Sequence, residues 1–185
     1  MKYIILDLEA TCWEGKSLTK RPNEIIEIGA ICVDEQKQIL GEFVTFVKPL
    51  KNPILSDFCT QLTSINQTMV DTAPYFPEAL AHFQQWIQSF DIEYWLCSWG
   101  FYDRTQFKQD CLLHQLPTEW LQNHISLKHQ YTTIAQLHRH IGMKGALQNE
   151  NIPLEGTHHR GIDDARNINK IFLKYFHQWQ FTTVV

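Results

Sequence analysis

The order and spacing of the strand-like segments limit this chain to few folds. Three segments rich in β-branched or aromatic residues follow one another closely, at residues 3–9, 25–33 and 41–47. Two more, at 94–99 and more weakly at 125–128, are separated by stretches long enough for helical crossovers. Because short links favour antiparallel pairing and long crossovers favour parallel pairing, the sequence predicts an α/β fold. Its mixed five-stranded sheet would combine an antiparallel three-strand meander with parallel strands, flanked by helices.

Apolar residues at three-to-four spacing predict the helices. One stripe contains Ala79, Leu80, Phe83, Ile87 and Phe90. A second starts at Phe107 and Cys111, with Leu112 as a further candidate, and a third candidate helix spans 131–140. The clearest helix runs from about 163 to 178. Its apolar face contains Asp164, Ile168, Ile171 and Tyr175. Its polar face contains Asp163, Asn167, Lys170 and Lys174.

Composition narrows the class of protein. The 185 residues contain no linker-like stretch or repeat, which predicts a single domain over 1–185. The 20 acidic and 16 basic residues give a net charge of −4, so any nucleic-acid contact must be local rather than driven by a global positive field. Five cysteines without a C-x-x-C pair favour a reducing compartment, and no apolar run approaches the roughly 18 residues of a membrane span. We therefore expect a cytoplasmic protein without a membrane partner.

Asp7 and Glu9 lie two residues apart in an otherwise apolar strand. The pleat places both carboxylates on one face, where like charges are unfavourable unless a cation neutralises them. Oxygen ligands of this kind suit Mg²⁺ or Mn²⁺. The alternative is a pair of carboxylates at the strand's end that simply face solvent.

Asp103 follows the fourth strand and precedes a helical pattern with Gln106 three residues later. This spacing is typical of a capping box, and taken alone it favours Asp103 as a helix N-cap. A carboxylate at the end of a strand parallel to the first would also lie beside Asp7 and Glu9. Both interpretations stay open from the sequence.

The segment 158–164 contains two histidines and two aspartates. Asp164 lies on the apolar, inward stripe, where an unpaired carboxylate is expensive, so it requires a metal or a hydrogen-bonded partner. Asp163 lies on the polar face and favours the helix N-terminus as a dipole partner. His159, five residues before Asp164, is suited to act as a base near neutral pH. We interpret the seven histidines outside this segment as ordinary surface residues.

These residues form a pattern that resembles the DEDDh 3′-to-5′ exonucleases of the ribonuclease H-like superfamily. The pattern is Asp7-x-Glu9, the distant Asp103, and His159-x-x-x-x-Asp164. Within that family the chain is most similar to the Eri1-like branch of RNA exonucleases and their bacterial KapD-type relatives. The likeness covers roughly 2–176 and is carried by segments 6–13, 24–29, 55–65, 98–103 and 156–167.

The resemblance implies a two-metal phosphodiesterase. Asp7, Glu9, Asp103 and Asp164 would hold two divalent ions, Mg²⁺ or Mn²⁺, and His159 would be the general base. The enzyme would trim single-stranded RNA, or short 3′ overhangs, to nucleoside 5′-monophosphates. The residues expected to contact the substrate are Glu9, Ala10, Leu62, Thr63, Trp99, Tyr102 and His159. For Leu62 and Trp99, plain core packing is an equal alternative.

Other functions stay open at this point. The five catalytic positions do not distinguish RNA from DNA, so a proofreading-type or repair-type DNA exonuclease is the nearest alternative. A catalytically silent nucleic-acid-binding protein on the same fold is disfavoured, because no expected ligand or base is missing. A local positive patch could bind the strand or be a solvated surface. It would contain Lys16, Lys20, Arg21, Arg104, Lys108 and Arg160.

Overall fold

One mixed sheet organises the chain, whose computed structural model describes residues 1–15, 22–90 and 93–182. The strands are β1 (Lys2–Ala10), β2 (Ile25–Asp34), β3 (Ile39–Phe46), β4 (Tyr94–Ser98) and β5 (His124–Ser126). Their order in the sheet is β3-β2-β1-β4-β5. Strands β1 to β3 pair antiparallel, and β4 and β5 continue the sheet in parallel. This confirms the predicted fold class and topology, although β5 is shorter than expected, because Leu127 already starts a helix.

Seven α-helices of the described residues flank the sheet. They are α1 (Asp57–Thr63), α2 (Gln67–Asp71), α3 (Phe76–Gln88), α4 (Tyr102–Leu113), α5 (Leu127–Ile134), α6 (Met143–Asn149) and α7 (Gly161–Lys174). None of these described helices is long and apolar enough to cross a membrane. The sequence did not predict α1, α2 and α6, which are too short to show a periodic stripe.

The predictions for three of the helices need correction. The third helix spans 127–134 rather than 131–140, and the last begins at Gly161 and ends at Lys174, before a 3₁₀ turn over Phe176–Gln178. Leu112 is exposed and does not belong to the apolar stripe of α4. Asn167 is fully buried despite its position on the predicted polar face, because its side chain bonds the backbone of Glu155.

Two hydrophobic clusters cover the two faces of the sheet. Tyr3 and Ile5 of β1 pack with α7, whereas Ile4 and Leu6 pack on the other face with α3 and α4. Because successive side chains of a strand alternate between faces, the odd-numbered residues of β1 point toward α7. The next odd-numbered residues are the two carboxylates predicted from the sequence.

Candidate active site

A cavity of about 260 Å³ lies at the carboxyl end of β1. It is lined by Asp7, Leu8, Glu9, Trp99, Tyr102, Asp103, Met143, His158, His159 and Asp164. All five predicted catalytic residues therefore line one cavity, although they come from three parts of the chain. The sequence analysis did not assign Leu8, Met143 and His158 to it.

Three carboxylates meet in this cavity. One oxygen of each of Asp7, Glu9 and Asp164 lies within 4.8 Å of the others. Glu9 is buried and Asp7 is half-buried, and both line the cavity with Asp164, so they are not a strand-end pair that simply faces solvent. Carboxylate oxygens at this separation are suited to share a hard divalent cation.

Two glycines bring α7 close enough to β1 for Asp164 to join the other acids. Gly29 of β2 lies opposite Asp7, and a Cβ atom there would lie 2.1 Å from the backbone nitrogen of Ile162. A Cβ on Gly161 would lie 3.1 Å from the carbonyl oxygen of Asp7. The helix start thus packs directly on the sheet backbone, and a larger residue at Gly29 would push it away.

Glu27, to which the sequence analysis gave no role, clamps the start of α7. Its fully buried carboxylate accepts hydrogen bonds from Arg160 Nε and Nη2, both at 3.1 Å, and from the backbone nitrogen of Gly161 at 2.9 Å. An acidic residue in the apolar strand β2 is the signal that could have revealed it, since a buried carboxylate requires a partner.

The sheet register also explains why the site needs positive charge. Glu9 and Glu27 are direct cross-strand partners between β1 and β2. Like charges directly opposite one another destabilise a sheet. Arg160 neutralises Glu27. Among the described residues, no cationic side chain forms an ion pair with Glu9. The clustered carboxylates therefore fit a bound cation as the group that neutralises Glu9.

Asp103 is the second residue of α4. The N-cap of that helix is Phe101, which makes no side-chain capping bond, so the N-cap prediction for Asp103 was wrong. Instead, Asp103 Oδ1 accepts a hydrogen bond from the backbone nitrogen of Leu8 at 3.1 Å. This bond points the buried carboxylate at β1, between Asp7 and Glu9, and ties α4 to the cavity.

The two histidines approach Asp164 from the loop before α7. The backbone nitrogen of His159 donates to Asp164 Oδ2 at 3.0 Å, and His158 Nδ1 lies 3.0 Å from the same oxygen. His159 has a left-handed backbone with φ of 67°, and its ring stacks on that of His158 with centroids 3.9 Å apart. Both imidazoles therefore line the cavity, and one ring nitrogen of each lies within 4.8 Å of an oxygen of Asp164.

The electrostatics of the cavity disfavour ionisation of all its carboxyl groups at the same time. Loss of water around Asp7, together with the nearby Asp103, Glu9 and Asp164, raises the pKa of Asp7 well above its usual range. Burial, then Asp164 and Glu27, raise the pKa of Glu9 to about 8. Burial raises the pKa of Asp103 to about 6, despite hydrogen bonds that lower it. A divalent cation would reverse these shifts by favouring the ionised forms.

Asp163, the neighbour of Asp164, lies outside the cavity as the helix periodicity predicts. Its carboxylate accepts a hydrogen bond from the backbone nitrogen of Thr157 and pairs with Arg166. It closes the turn that precedes α7. The two adjacent aspartates thus differ in their contacts: Asp164 lies with the other acids of the cavity, and Asp163 bonds the loop before α7.

The predicted substrate contacts divide into two groups. Trp99 and Tyr102 line the cavity with Glu9 and His159. Trp99 is buried and packs on Tyr131, so the contact and core interpretations both apply to it, whereas Tyr102 is exposed. The remaining residues, Ala10, Leu62 and Thr63, are not among the described residues lining the cavity.

Within that second group, solvent access differs. Leu62 is exposed on α1, which removes the core-packing alternative for it. Thr63 is fully buried, and its hydroxyl donates to the carbonyl oxygen of Cys59. Thr63 therefore exposes no atom to a ligand, which contradicts its predicted role as a substrate contact.

The predicted positive patch is not formed as expected. Lys16, Lys20 and Arg21 lie outside the described residues. Arg160 is held by Glu27, and Arg104 Nε donates to the carbonyl oxygen of Leu121. Of the expected residues, only Lys108 is an exposed cation on the described surface without a carboxylate partner there.

Comparison with known proteins gives consistent matches. The family model for exonucleases of the RNase T type matches residues 4–172. ERI1 exoribonuclease 2 of Xenopus laevis is 34% identical over 91% of this chain and 27% of its own length. The 3′-5′ exonuclease eri1 of Schizosaccharomyces pombe is 34% identical over 92% of this chain and 66% of its own length. The chain thus spans about a quarter to two thirds of these relatives.

Solved structures show the same fold. The nuclease domain of 3′hExo, a DEDDh family member bound to rAMP, superposes with a TM-score of 0.93 over 100% of this chain and 97% of that one, at 27% identity. A 3′-exonuclease that recognises the 3′ end of the histone mRNA stem-loop gives a TM-score of 0.91 over 100% of this chain and 70% of that one, at 25% identity. Exonuclease X, in complex with 5′-overhanging duplex DNA, shares the fold at 16% identity and a TM-score of 0.65, covering 97% of this chain and 95% of that one.

Proposed function

The chain belongs to the exonuclease family, in its Eri1-like DEDDh branch, and on this premise we propose that it removes nucleotides one at a time from the 3′ end of RNA. Its substrates would be single strands or short 3′ overhangs, and its products nucleoside 5′-monophosphates. One observation carries the proposal: the clustered carboxylates of Asp7, Glu9 and Asp164 share a cavity with Asp103 and His159.

The acids are the groups that would hold divalent metal ions, which this family uses. Asp7, Glu9 and Asp164 offer oxygens to one common position, and Asp103 adds a fourth carboxylate to the cavity. We propose Mg²⁺ or Mn²⁺, two per site, because both accept carboxylate oxygens and leave positions for phosphate. When bound, such ions would stabilise negative charge on the phosphate and the leaving oxygen.

His159 is our candidate for the general base. Its ring lines the cavity, and the backbone hydrogen bond to Asp164 fixes the start of α7 beside it. The imidazole would take a proton from the attacking water, and the acids would hold the ions that position the phosphate. The ring of His158 also contacts Asp164, with Nδ1 3.0 Å from Oδ2, so the choice of His159 rests on the family's His-to-Asp spacing.

Aromatic side chains would hold the terminal nucleotide. Tyr102 exposes its ring at the cavity, and Trp99 forms part of the wall, so a base or sugar could pack between them. Stacking of this kind gives affinity with little sequence preference. We propose Glu9 and His159 as polar contacts, and Ala10 and Leu62 as contacts at the adjacent rim.

RNA is favoured over DNA by the relatives. Several of the relatives, ERI1 exoribonuclease 2 and 3′-5′ exoribonuclease 1 among them, are named exoribonucleases, and one solved neighbour is bound to rAMP. The neighbours solved in complex with DNA are below 25% identical and share the fold alone. A DNA exonuclease is therefore the second outcome that the experiment must separate.

The test is digestion of 5′-labelled RNA and DNA of matched sequence, resolved to single nucleotides, with Mg²⁺, with Mn²⁺ and with chelator. We expect a ladder that shortens from the 3′ end, requires metal and forms faster on RNA. Faster cleavage of DNA would support the repair-type alternative. No cleavage of either strand with any metal would favour the silent binding protein.

Variants assign the roles in the same assay. Asp7→Ala should abolish cleavage while the circular dichroism spectrum stays native. His159→Ala should lower kcat by roughly 10² to 10⁴, the usual range for a general base. His158→Ala is the matched control, and a larger loss there than for His159→Ala would transfer the base role to His158.

A further inference from the structure

A strip of aromatic and cationic side chains leads away from the cavity across α5 and the segment that joins α5 to α6. We call it the α5 strip, and it contains Phe101, Lys128, His129, Arg139, His140 and Lys144. Two of its residues are chain neighbours of residues that line the cavity. Phe101 directly precedes Tyr102, and Lys144 directly follows Met143. The strip therefore begins at the edge of the proposed substrate site.

Three rings succeed one another along the strip. The centroids of Phe101 and His129 lie 4.8 Å apart, and those of His129 and His140 lie 4.4 Å apart. Hydroxyl groups hold both imidazoles in place, since Thr132 Oγ1 lies 2.8 Å from His140 Nδ1 and Ser126 contacts His129. Phe101 and His140 are exposed, so the outer rings offer faces to bases.

Three cations line the same strip. The side chain of Lys128 crosses Gly100, with Nζ 3.3 Å from where a Cβ atom would lie. Lys144 is exposed and directly follows Met143, which lines the cavity. Arg139 is exposed on the joining segment.

These cations differ from the basic residues of α7 and of the loop before it. Arg160, Arg166, Lys170 and Lys174 are each paired with a carboxylate. Within residues 1–15, 22–90 and 93–182, no carboxylate forms an ion pair with a cation of the α5 strip. In a chain of net charge −4, this local surplus beside an acidic cavity is suited to a polyanion that must lie next to it.

We propose that the α5 strip binds the single RNA strand immediately upstream of the 3′-terminal nucleotide. Bases would stack on Phe101 and His140, with His129 packed between them, and phosphates would contact Lys128, Arg139 and Lys144. Alternating rings and cations suit a single strand, because unpaired bases expose their faces whereas a duplex does not. This inference rests on the proposed function, since it requires a strand whose 3′ end occupies the cavity.

A competing path runs along α4, where Arg104 and Lys108 line a separate cleft. That cleft also contains Glu119, and Arg104 is already bonded to a backbone carbonyl. It offers cations without exposed rings. Lys108→Ala therefore serves as a control, because it removes an exposed positive charge that lies outside the α5 strip.

The experiment measures trimming and binding of a labelled RNA of about ten nucleotides, and trimming of a dinucleotide, over a salt series. Binding is measured by fluorescence anisotropy with Ca²⁺ in place of Mg²⁺. For Arg139→Ala/Lys144→Ala we expect about a tenfold rise in KM and Kd for the longer RNA. Losing two phosphate contacts should also reduce the slope of log Kd against log salt by about 1.4.

Phe101→Leu should raise KM and Kd for the longer RNA several-fold without changing that slope, because it removes a stacking face and no charge. Lys108→Ala should change neither quantity. Dinucleotide cleavage by the wild type separates the two proposals. If the wild type cleaves both substrates and the strip variants bind the longer RNA like wild type, the strip is refuted and the function stands.

An equal loss for Lys108→Ala would replace the strip with a general electrostatic effect. If the wild type cleaves neither substrate, the exonuclease proposal fails, and the anisotropy series still decides whether the strip binds RNA. Absence of binding as well as cleavage would overturn both.

Discussion

The clamp formed by Glu27 and Arg160 gives the sharpest quantitative prediction, because it links distant segments at the edge of the site. Glu27 accepts three hydrogen bonds, two from Arg160 and one from the backbone of Gly161. Glu27 is fully buried, whereas the Arg160 side chain is 22% exposed. The loss of one partner therefore has unequal effects. Without Glu27, the Arg160 guanidinium can still be hydrated, whereas without Arg160 the buried Glu27 carboxylate cannot.

The magnitudes follow from this asymmetry. Arg160→Met keeps the apolar stem and leaves Glu27 charged, buried and opposite Glu9, so we expect a loss of about 3 kcal/mol in unfolding free energy. Glu27→Gln keeps the shape, weakens the bond to Gly161 and frees Arg160, so we expect a loss of about 2 kcal/mol. The double variant should lose about 2 kcal/mol less than the sum of the single losses.

The assay is urea unfolding followed by circular dichroism in the presence of chelator, with the four proteins of the cycle measured together. A coupling energy below about 0.5 kcal/mol would refute the clamp as a stabilising pair. So would a smaller loss for Arg160→Met than for Glu27→Gln, since the argument requires the stranded carboxylate to be the more expensive group.

Three further predictions concern single positions. Gly29→Ala should destabilise the protein by about 3 kcal/mol or more in thermal unfolding, because its Cβ would overlap the backbone of α7, whereas Gly41→Ala, with its nearest atom at 3.5 Å, should cost under about 1 kcal/mol. Burial raises the pKa of Asp110 to about 7, so the folded state holds a proton that the unfolded chain releases near pH 4. Unfolding free energy should then fall as pH rises from about 4 to 7, and Asp110→Asn should remove that part of the slope in urea titrations at several pH values. Asp164→Asn should lower kcat at least about 100-fold, whereas Asp163→Asn should stay within about threefold in the same trimming assay.

The sequence predicted the sheet because its signals are local. Alternating or continuous apolar runs mark β1 to β4, and the length of each link decides between antiparallel and parallel pairing. The ends of helices were less predictable. The segment 131–140 contains periodic apolar residues, yet the helix ends at Ile134, and its first two residues, Leu127 and Lys128, were assigned to a strand.

Three of the four carboxylates proposed to bind metal were predictable because each breaks a local rule. Asp7 and Glu9 interrupt an apolar strand, and Asp164 interrupts an apolar helix face. Asp103 breaks no such rule, since an acid near a helix start is ordinary. Its task emerged only from the bond to Leu8, which is 95 residues away in the chain. His158 was missed for a similar reason, because adjacent histidines on a loop carry no periodicity that chooses between them.

Glu27 shows what a stricter use of the same rule would have found. It lies in a strand of buried apolar residues, 133 residues before the arginine that pairs with it. Once β1 and β2 are paired, Glu27 faces Glu9, and two carboxylates facing each other in a buried sheet demand two separate neutralising groups. Arg160 is one of them. A metal ion is the group we propose for the other, so the pairing register of two strands alone connects the stability of the fold with the chemistry of its site.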